Sequence, residues 1–113
     1  TLDASPAPSR RVLVMGDMLE LGPRSVAFHQ EAGTLAAQSK VALLVGVGPL
    51  ARHAVEAARR AGIEAHAVDN AAQAAQTVPG LTRPGDLVVI KGSRGVKLEL
   101  VVEALVARRG EVA

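Results

Sequence analysis

Residues 12–22, VLVMGDMLELG, join an apolar run to an unusual loop. The run Val12–Met15 is continuous and large, which predicts a strand that is covered on both faces. Gly16-Asp17 follows directly, so the strand ends in a carboxylate at the edge where open α/β sheets bind ligands. Connecting loops are usually short and polar, whereas this one places two acids and three large apolar residues between two glycines. The stretch therefore predicts a buried strand with a functional loop at its carboxyl end.

Three more apolar runs follow the first, and helical patterns separate them. The runs are Val41–Val45, Ile63–Val68 and Leu87–Ile90. Apolar residues recur at helical spacing in three of the intervals: Phe28, Ala32, Leu35 and Ala36; Leu50, Ala54, Val55, Ala58 and Ala61; Leu98, Val101, Val102 and Leu105. A short helix is predicted over residues 70–78. The order βαβαβαβα predicts a mainly parallel sheet in a Rossmann-like, three-layer α/β sandwich.

Boundary residues predict where these elements begin and end. Gly62 is a candidate C-cap of the second helix, and Asn70 a candidate N-cap of the third. Pro79-Gly80 is expected to end the third helix, and Gly110 the last. Residues 1–10 are expected to be a linker or the end of a truncated helix, which leaves residues 11–113 as the domain. Four strands make a thin doubly wound sheet, so one strand–helix unit is expected upstream of this chain.

Composition narrows the function classes. The 113 residues are 49% hydrophobic but only 1% aromatic, with Phe28 as the single aromatic. Base stacking on aromatic side chains is therefore disfavoured, and the net charge of +2 is no basic stripe. The chain has no cysteine, which excludes disulfides and thiolate metal sites and fits a cytoplasmic protein. We find no signal peptide and no membrane-spanning run. We expect no nucleic-acid partner.

A second glycine-rich loop, residues 91–95 with the sequence KGSRG, follows the fourth predicted strand. Parallel strands end at one edge of a sheet, so this loop should converge with Gly16-Asp17. Glycines permit close backbone approach, and N–H groups at a helix start favour an anion. Ser93 adds a hydroxyl, while Lys91 and Arg94 add positive charge. The loop is a candidate cradle for a carboxylate or phosphate; a tight turn with solvated charges is the alternative.

Residues 46–51, GVGPLA, match the GxGxxA turn of dinucleotide-binding proteins. Asp69 ends the next strand, at the spacing of the acid that binds a ribose hydroxyl. A free-standing NAD-binding module is therefore an alternative function. A tight turn with Asp69 or Asn70 capping the next helix explains the same residues. A partner-binding or regulatory domain without catalysis is a third possibility.

The histidines give no metal motif. His29 lies early in the first predicted helix, where it could reach Asp17 or Glu20 and orient a carboxylate, or simply pack. His53 and His66 have no metal-ligand partner at useful spacing. The sequence contains neither a nucleophile elbow nor a GxxxxGK[ST] loop, so it shows no recognisable phosphoryl-transfer machinery. We therefore predict no metal site.

Several of these segments, taken together, resemble one family. VLVMGDMLELG, the downstream His29, Glu31 and Gly33, and the late PGDLVVIKGSRG…LELVVEAL resemble the C-terminal domain of the MurF-type Mur ligases. These are the UDP-N-acetylmuramoyl-tripeptide:D-alanyl-D-alanine ligases of peptidoglycan biosynthesis. The resemblance runs from Val12 to Leu105. GDMLELG and KGSRG give it specificity, whereas the GVG turn is generic.

The resemblance implies an enzyme of three domains. The first binds UDP-N-acetylmuramoyl-tripeptide, and the central one binds ATP and Mg²⁺. The third is Rossmann-like, closes over the ATP site and supplies much of the D-alanyl-D-alanine site. ATP converts the peptide carboxylate to an acyl phosphate, which the dipeptide amine attacks, releasing ADP and phosphate. The two other domains of the same chain are thus implied partners, and this piece alone is expected to hold no cofactor and no catalytic residue.

The family's site residues carry over by position. The implied substrate-binding residues on the D-alanyl-D-alanine side are Gly16, Asp17, Lys91, Gly92, Ser93 and Arg94. Asp17 is implied to contact the incoming ammonium, directly or through water, and the KGSR loop the dipeptide carboxylate. Glu20 and His29 match positions to which we give supporting roles. The family's aromatic-Asn-Ala-Asn-Pro segment, which opens this domain, is not in the sequence and would form the strand–helix unit expected upstream. Leu98 stands where the family usually has Met.

Overall fold

The computed structural model describes residues 10–18, 22–92 and 96–112. Strands and helices alternate through these residues, and a short 3₁₀ turn, Gly22–Arg24, precedes the first helix. The strands are β1 (Arg11–Gly16), β2 (Leu43–Val47), β3 (Glu64–Val68) and β4 (Leu87–Lys91). The helices are α1 (Ser25–Gln38), α2 (Ala51–Arg60), α3 (Ala71–Leu81) and α4 (Glu99–Val112). The predicted order βαβαβαβα is confirmed.

All the strand pairs are parallel, and their order across the sheet is β3-β2-β1-β4. The chain moves from β1 outward through β2 and β3, then returns to place β4 on the other side of β1. The strand order therefore reverses between β1 and β4. The crevice beyond the carboxyl ends of two such strands is where open α/β sheets bind ligands. The GD and KG motifs stand at those two strand ends.

Helices cover both faces of the sheet. Side chains alternate along a strand, so in β2 Val45 packs into one core cluster and Leu44 into the other. The α3 and α4 residues Val78 and Val101 belong to the first cluster, and the α2 residue Val55 belongs to the second. All five β2 residues are buried. The molecule is thus the predicted three-layer α/β sandwich, with β2 and β1 inside the sheet.

The ends of α1 and α2 share one geometry. At α2, Gly62 has φ of 95°, its N–H donates to the Arg59 carbonyl at 3.0 Å, and the Ile63 N–H donates to the Ala58 carbonyl at 3.1 Å. This pattern is a Schellman C-cap, so the prediction for Gly62 is confirmed. At α1 the same position holds Lys40, with φ of 62°.

The predicted start of β2 at Val41 is wrong by two residues. The Val41 N–H donates to the Ala36 carbonyl at 3.0 Å, which makes Val41 part of the turn that ends α1. The strand itself begins at Leu43. A lysine in the left-handed conformation is uncommon, so the sequence did not indicate this helix end.

Two predicted helix ends are also wrong. Asn70 caps α3 as predicted, accepting the Gln73 N–H at 2.9 Å, but α3 continues through Pro79-Gly80 to Leu81. A proline in the last turn removes a single N–H donor, and the next turn still closes. Likewise α4 continues past Gly110 to Val112. A glycine ends a helix by leaving the helical conformation, and Gly110 remains within the helix.

One face of β4 is open among the described residues. Leu87 and Val89 are 54% and 49% exposed, and the only described strand that pairs with β4 is β1. Between this face and α1 lies a groove of about 450 Å³, lined mainly by apolar side chains: Leu13, Met15, Met18, Phe28, Leu35, Leu87 and Val89. The strand–helix unit predicted upstream stays a prediction.

Arg10 and Asp86 hold together the amino ends of β1 and β4. The Arg10 guanidinium donates to both Asp86 carboxylate oxygens, at 3.2 and 2.7 Å, and to the Leu81 carbonyl at 2.8 Å. The Arg83 N–H also donates to Asp86, at 2.8 Å. The hydrogen bond from Arg10 is the main cause that lowers the pKa of the Asp86 carboxyl below its ordinary value.

We expect Asp86→Asn to destabilise the domain by about 1–3 kcal/mol, because the Arg10 guanidinium and the Arg83 N–H lose a charged, buried acceptor. Since the folded-state pKa of Asp86 is lowered, its contribution is present above the ordinary carboxyl pKa. It is lost as pH falls through the lowered value. Urea unfolding between neutral and acidic pH should therefore show less acid destabilisation in the variant than in the parent. The matched control is Asp69→Asn, whose pair with Arg52 is 2.8 Å long but largely exposed. An equal loss in both variants would contradict the assignment.

Candidate functional site

The GD and KG motifs lie side by side at the reversal of strand order. Met15 and Lys91 are paired in the sheet register, so Gly16 and Gly92 are the next neighbours along β1 and β4. A Cβ added to Gly92 would lie 3.1 Å from the Gly16 Cα, and one added to Gly16 would lie 2.8 Å from the Val96 Cγ1. Contacts under 3.0 Å essentially never occur for a real Cβ. A side chain at position 16 would therefore collide with the segment before α4, and one at position 92 would be tight against the end of β1.

Asp17 connects the end of β1 to the start of α2. Its side chain is buried, with the residue only 5% exposed, and its Oδ1 accepts the Ala51 N–H at 2.7 Å. The Asp17 N–H donates to the Val47 carbonyl at 3.1 Å. The first N–H groups of a helix have no partner within the helix and carry partial positive charge. The Asp17 carboxylate therefore satisfies the amino end of α2 from a neighbouring loop.

Gly48 makes room for this carboxylate. It has φ of 109°, a conformation that L side chains rarely adopt, and an added Cβ would lie 2.7–2.8 Å from the Asp17 carboxylate atoms. Its N–H donates to the Val68 carbonyl at 3.0 Å. The first and second glycines of GVG thus serve backbone approach within the protein: a Cβ on Gly46 would lie 2.8 Å from the Ala51 carbonyl oxygen.

This geometry opposes the dinucleotide alternative. In that reading the pyrophosphate would bind at the amino end of α2, where the Asp17 carboxylate already lies. Asp69, the predicted ribose ligand, is exposed and pairs with Arg52 at 2.8 Å. Its N–H donates to the Gln73 Oε1 at 2.6 Å. The GVG turn and Asp69 therefore have structural partners.

His29 is fully buried, and both ring nitrogens have backbone partners. Nε2 accepts the Met18 N–H at 3.1 Å, and Nδ1 lies 2.5 Å from the Ser25 carbonyl oxygen. We expected His29 either to orient the carboxylate of Asp17 or Glu20 or to pack; in the structure its ring bonds main-chain atoms. No residue pattern indicates the Met18 contact, because it depends on how α1 packs against the loop after β1.

The remaining predicted site residues divide into two groups. Lys91 and Gly92 are exposed at the end of β4. Glu20, Ser93 and Arg94 lie outside the described residues. Beside Asp17, a cleft of about 240 Å³ opens between the Gly48-Pro49 turn and Asp69–Ala71. Asp17 and Asp69 both line this cleft, and Asp69 pairs with Arg52.

Two further searches cover only the described part of the chain. It contains no group of three or more histidine, aspartate or glutamate side chains that could hold a metal ion. None of its helices is both long enough and apolar enough to cross a membrane.

Comparison with known proteins gives consistent similarities. The sequence profile of the family described as "Mur ligase, glutamate ligase domain" matches residues 1–94. The UDP-N-acetylmuramoyl-tripeptide–D-alanyl-D-alanine ligase of Bacillus subtilis (strain 168) is 34% identical over 100 residues, which cover 86% of this chain and 22% of that protein. The enzyme of the same name from Escherichia coli (strain K12) is 34% identical over 99 residues, covering 87% and 21%. The chain thus spans about a fifth of the length of these relatives.

Solved structures agree with the sequence matches. A crystal structure of MurF from Acinetobacter baumannii superposes with a TM-score of 0.74 at 29% identity, covering 88% of this chain and 22% of that one. MurF ligase from Thermotoga maritima in complex with ADP superposes with a TM-score of 0.70 at 26% identity, covering 94% and 24%. Nothing in these similarities supports the NAD-binding alternative.

We predict that Gly48→Ala destabilises the domain more than Gly85→Ala. The two glycines have similar φ values, 109° and 93°, but an added Cβ meets no atom within 4 Å at Gly85. Backbone strain destabilises both variants, whereas only Gly48→Ala crowds the Asp17 carboxylate. Crowding typically costs about 1–3 kcal/mol, so the free energies of unfolding in urea should differ by that amount. Equal losses would mean that Gly48 matters for its conformation alone.

Proposed function

The chain belongs to the Mur ligase family, and we propose that it forms the C-terminal domain of a cytoplasmic, ATP-dependent D-alanyl-D-alanine-adding ligase of peptidoglycan biosynthesis. The observation that carries this proposal is the meeting of Gly16-Asp17 with Lys91-Gly92 at the reversal of strand order. The relatives are named as UDP-N-acetylmuramoyl-tripeptide–D-alanyl-D-alanine ligases, which supports the two peptide substrates.

The proposed reaction forms one amide bond in two steps. A carboxylate oxygen of the UDP-linked tripeptide attacks the terminal phosphoryl group of ATP, giving an acyl phosphate and ADP. The dipeptide amine, once deprotonated, attacks the acyl carbon; the C–N bond forms, the C–O bond breaks, and phosphate leaves. ATP and Mg²⁺ supply the phosphoryl chemistry and are held mainly by a central domain of the parent enzyme. The ADP in the structure of the Thermotoga maritima relative supports the use of ATP.

The role proposed for this domain is to hold the attacking dipeptide. D-Alanyl-D-alanine is a zwitterion, with an ammonium at one end and a carboxylate at the other. Matching charges stand at neighbouring strand ends: the Asp17 carboxylate just after β1 and the Lys91 ammonium at the last residue of β4. Asp17 contacts the substrate ammonium, directly or through water, from the cleft that it lines. Its Oδ2 accepts no hydrogen bond from the described residues, whereas Oδ1 is held by Ala51.

The KGSR loop is proposed to bind the other end of the dipeptide. Lys91 and Arg94 attract its carboxylate, Ser93 donates a hydroxyl hydrogen bond, and Gly92 allows the backbone to come close. Opposite charges on two adjoining loops fix the direction of the dipeptide. The amine then points toward the acyl phosphate, and closure of the domain removes water from the reaction. Glu20 and His29 support the loop after β1.

The parent enzyme should release ADP only when UDP-N-acetylmuramoyl-tripeptide and D-alanyl-D-alanine are both present. The isolated chain should release none, since it supplies one substrate-binding surface. A coupled ADP assay with each substrate omitted in turn measures this. ADP release that is indifferent to the dipeptide would overturn the proposed function.

For the isolated chain, we predict weak dipeptide binding that Lys91→Ala and Arg94→Ala each reduce by about tenfold, the loss of one charge-assisted hydrogen bond. Calorimetric titration with D-alanyl-D-alanine measures the affinity. The control is Arg60→Ala, which removes an exposed positive charge from the last turn of α2, about 15 Å along the helix from the site. Unchanged binding in both loop variants would remove the assignment of the carboxylate cradle.

A further inference from the structure

We propose that His29 is a positioning residue which, with Ser25, anchors Met18 and Gly22 to α1 and so aims Asp17. The inference deepens the proposed function and rests on it for the role of Asp17. His29 touches no substrate. It acts through the main chain that follows Asp17.

The tautomer of His29 follows from its partners. The Met18 N–H can only donate, so the Nε2 that receives it at 3.1 Å carries no proton. The imidazole proton is then on Nδ1, which donates to the Ser25 carbonyl at 2.5 Å. The Phe28 ring stands edge-on to the imidazole, with ring centroids 5.6 Å apart. His29 is thus a neutral, fully buried ring with one acceptor and one donor, and both are used.

Ser25 makes the second contact, with Gly22. The contacts of His29 with Met18 and of Ser25 with Gly22 are together called the relay. Its hydroxyl donates to the Gly22 carbonyl at 2.7 Å, while its own carbonyl accepts from His29. Met18 and Gly22 are therefore both bound to the first turns of α1, Met18 through the His29 ring and Gly22 through the Ser25 hydroxyl. Gly22 has φ of 58°, which lets the chain turn directly into the 3₁₀ segment and α1.

The relay fixes the backbone of Asp17. The N–H of Asp17 donates to the Val47 carbonyl at 3.1 Å, and the N–H of the next residue, Met18, donates to His29. The peptide groups on both sides of the Asp17 Cα are therefore anchored, one by β2 and one by α1. With its backbone held in this way, the carboxylate has a defined approach to the Ala51 N–H and to the cleft.

The competing explanation is that His29 only fills space in the core. The two explanations predict opposite orders for two variants. Leucine at this position keeps apolar volume but offers no acceptor, so it suits a packing role. Glutamine keeps a carbonyl oxygen at similar reach, so His29→Gln suits an acceptor role and His29→Leu does not.

Hydrogen exchange of the Met18 amide separates these explanations. We expect exchange in His29→Leu to be at least about fivefold faster than in the parent, the loss of roughly 1 kcal/mol. His29→Gln should restore most of the protection. The Val45 amide in the middle of β2 is the internal control and should keep its protection in both variants. Equal Met18 protection in His29→Leu and in the parent would overturn the proposal.

A second measurement needs no variant and therefore no assumption about folding. The ¹⁵N chemical shifts of the His29 ring in the unmodified chain at neutral pH should show a protonated Nδ1 and a bare Nε2. A proton on Nε2 would also overturn the relay. Dipeptide titration adds the link to function: His29→Leu should bind more weakly than His29→Gln. If the unmodified chain binds no dipeptide, the proposed function fails while exchange and ring shifts still decide the relay.

Discussion

The contact between the Asp17 carboxylate and the Ala51 N–H is the constraint on which the site depends. It joins the loop after β1 to the amino end of α2, and the neighbouring Asp17 N–H bonds the Val47 carbonyl at the end of β2. A buried carboxylate is unfavourable without hydrogen bonds, and the amino end of a helix supplies both a donor and a positive dipole. The contact in turn requires a residue without a Cβ at Gly48. The contact between Asp17 and the amino end of α2 thus accounts for the glycine at position 48 and for the burial of Asp17. It also leaves no room for a phosphate at the amino end of α2.

The alternation of elements could be predicted from sequence because apolar periodicity is local. Helix boundaries that depend on a glycine or asparagine cap could also be predicted from sequence, as at Gly62 and Asn70. The failures have a common cause: the deciding interaction is not encoded by the type of the residue concerned. Lys40 takes a left-handed conformation that glycine usually provides, and Pro79 and Gly110 lie within helices whose last turns close around them.

The same distinction between local patterns and distant contacts applies to the candidate site. That GD and KG would lie at one edge of the sheet follows from parallel strands alone. That they would be neighbours required the strand order, which places β4 beside β1 and is not written in any local pattern. The partner of Asp17 was inaccessible for a similar reason, since a backbone N–H contributed by another crossover leaves no residue signature. His29 could be singled out as a candidate, but its true partners are main-chain atoms.

The glycines of the chain show the same contrast between local conformation and contact with distant residues. Gly62 and Gly85 have positive φ and open space around an added Cβ, so conformation alone accounts for them. Gly16 and Gly92 are absent from the left-handed set, yet an added Cβ on either would meet Val96 or Leu98 within 2.8–3.0 Å. Glycine at these two positions allows close packing.

A ligand at this edge of the sheet would contact the groups that this close packing leaves accessible: the backbone at the strand ends and the charged side chains beside it. Such a surface can orient a small zwitterion by its two charges, but it offers little apolar area with which to bind one tightly. Tight binding would then need further protein surface over the same cleft, which agrees with the proposed role of this chain as one side of a larger active site.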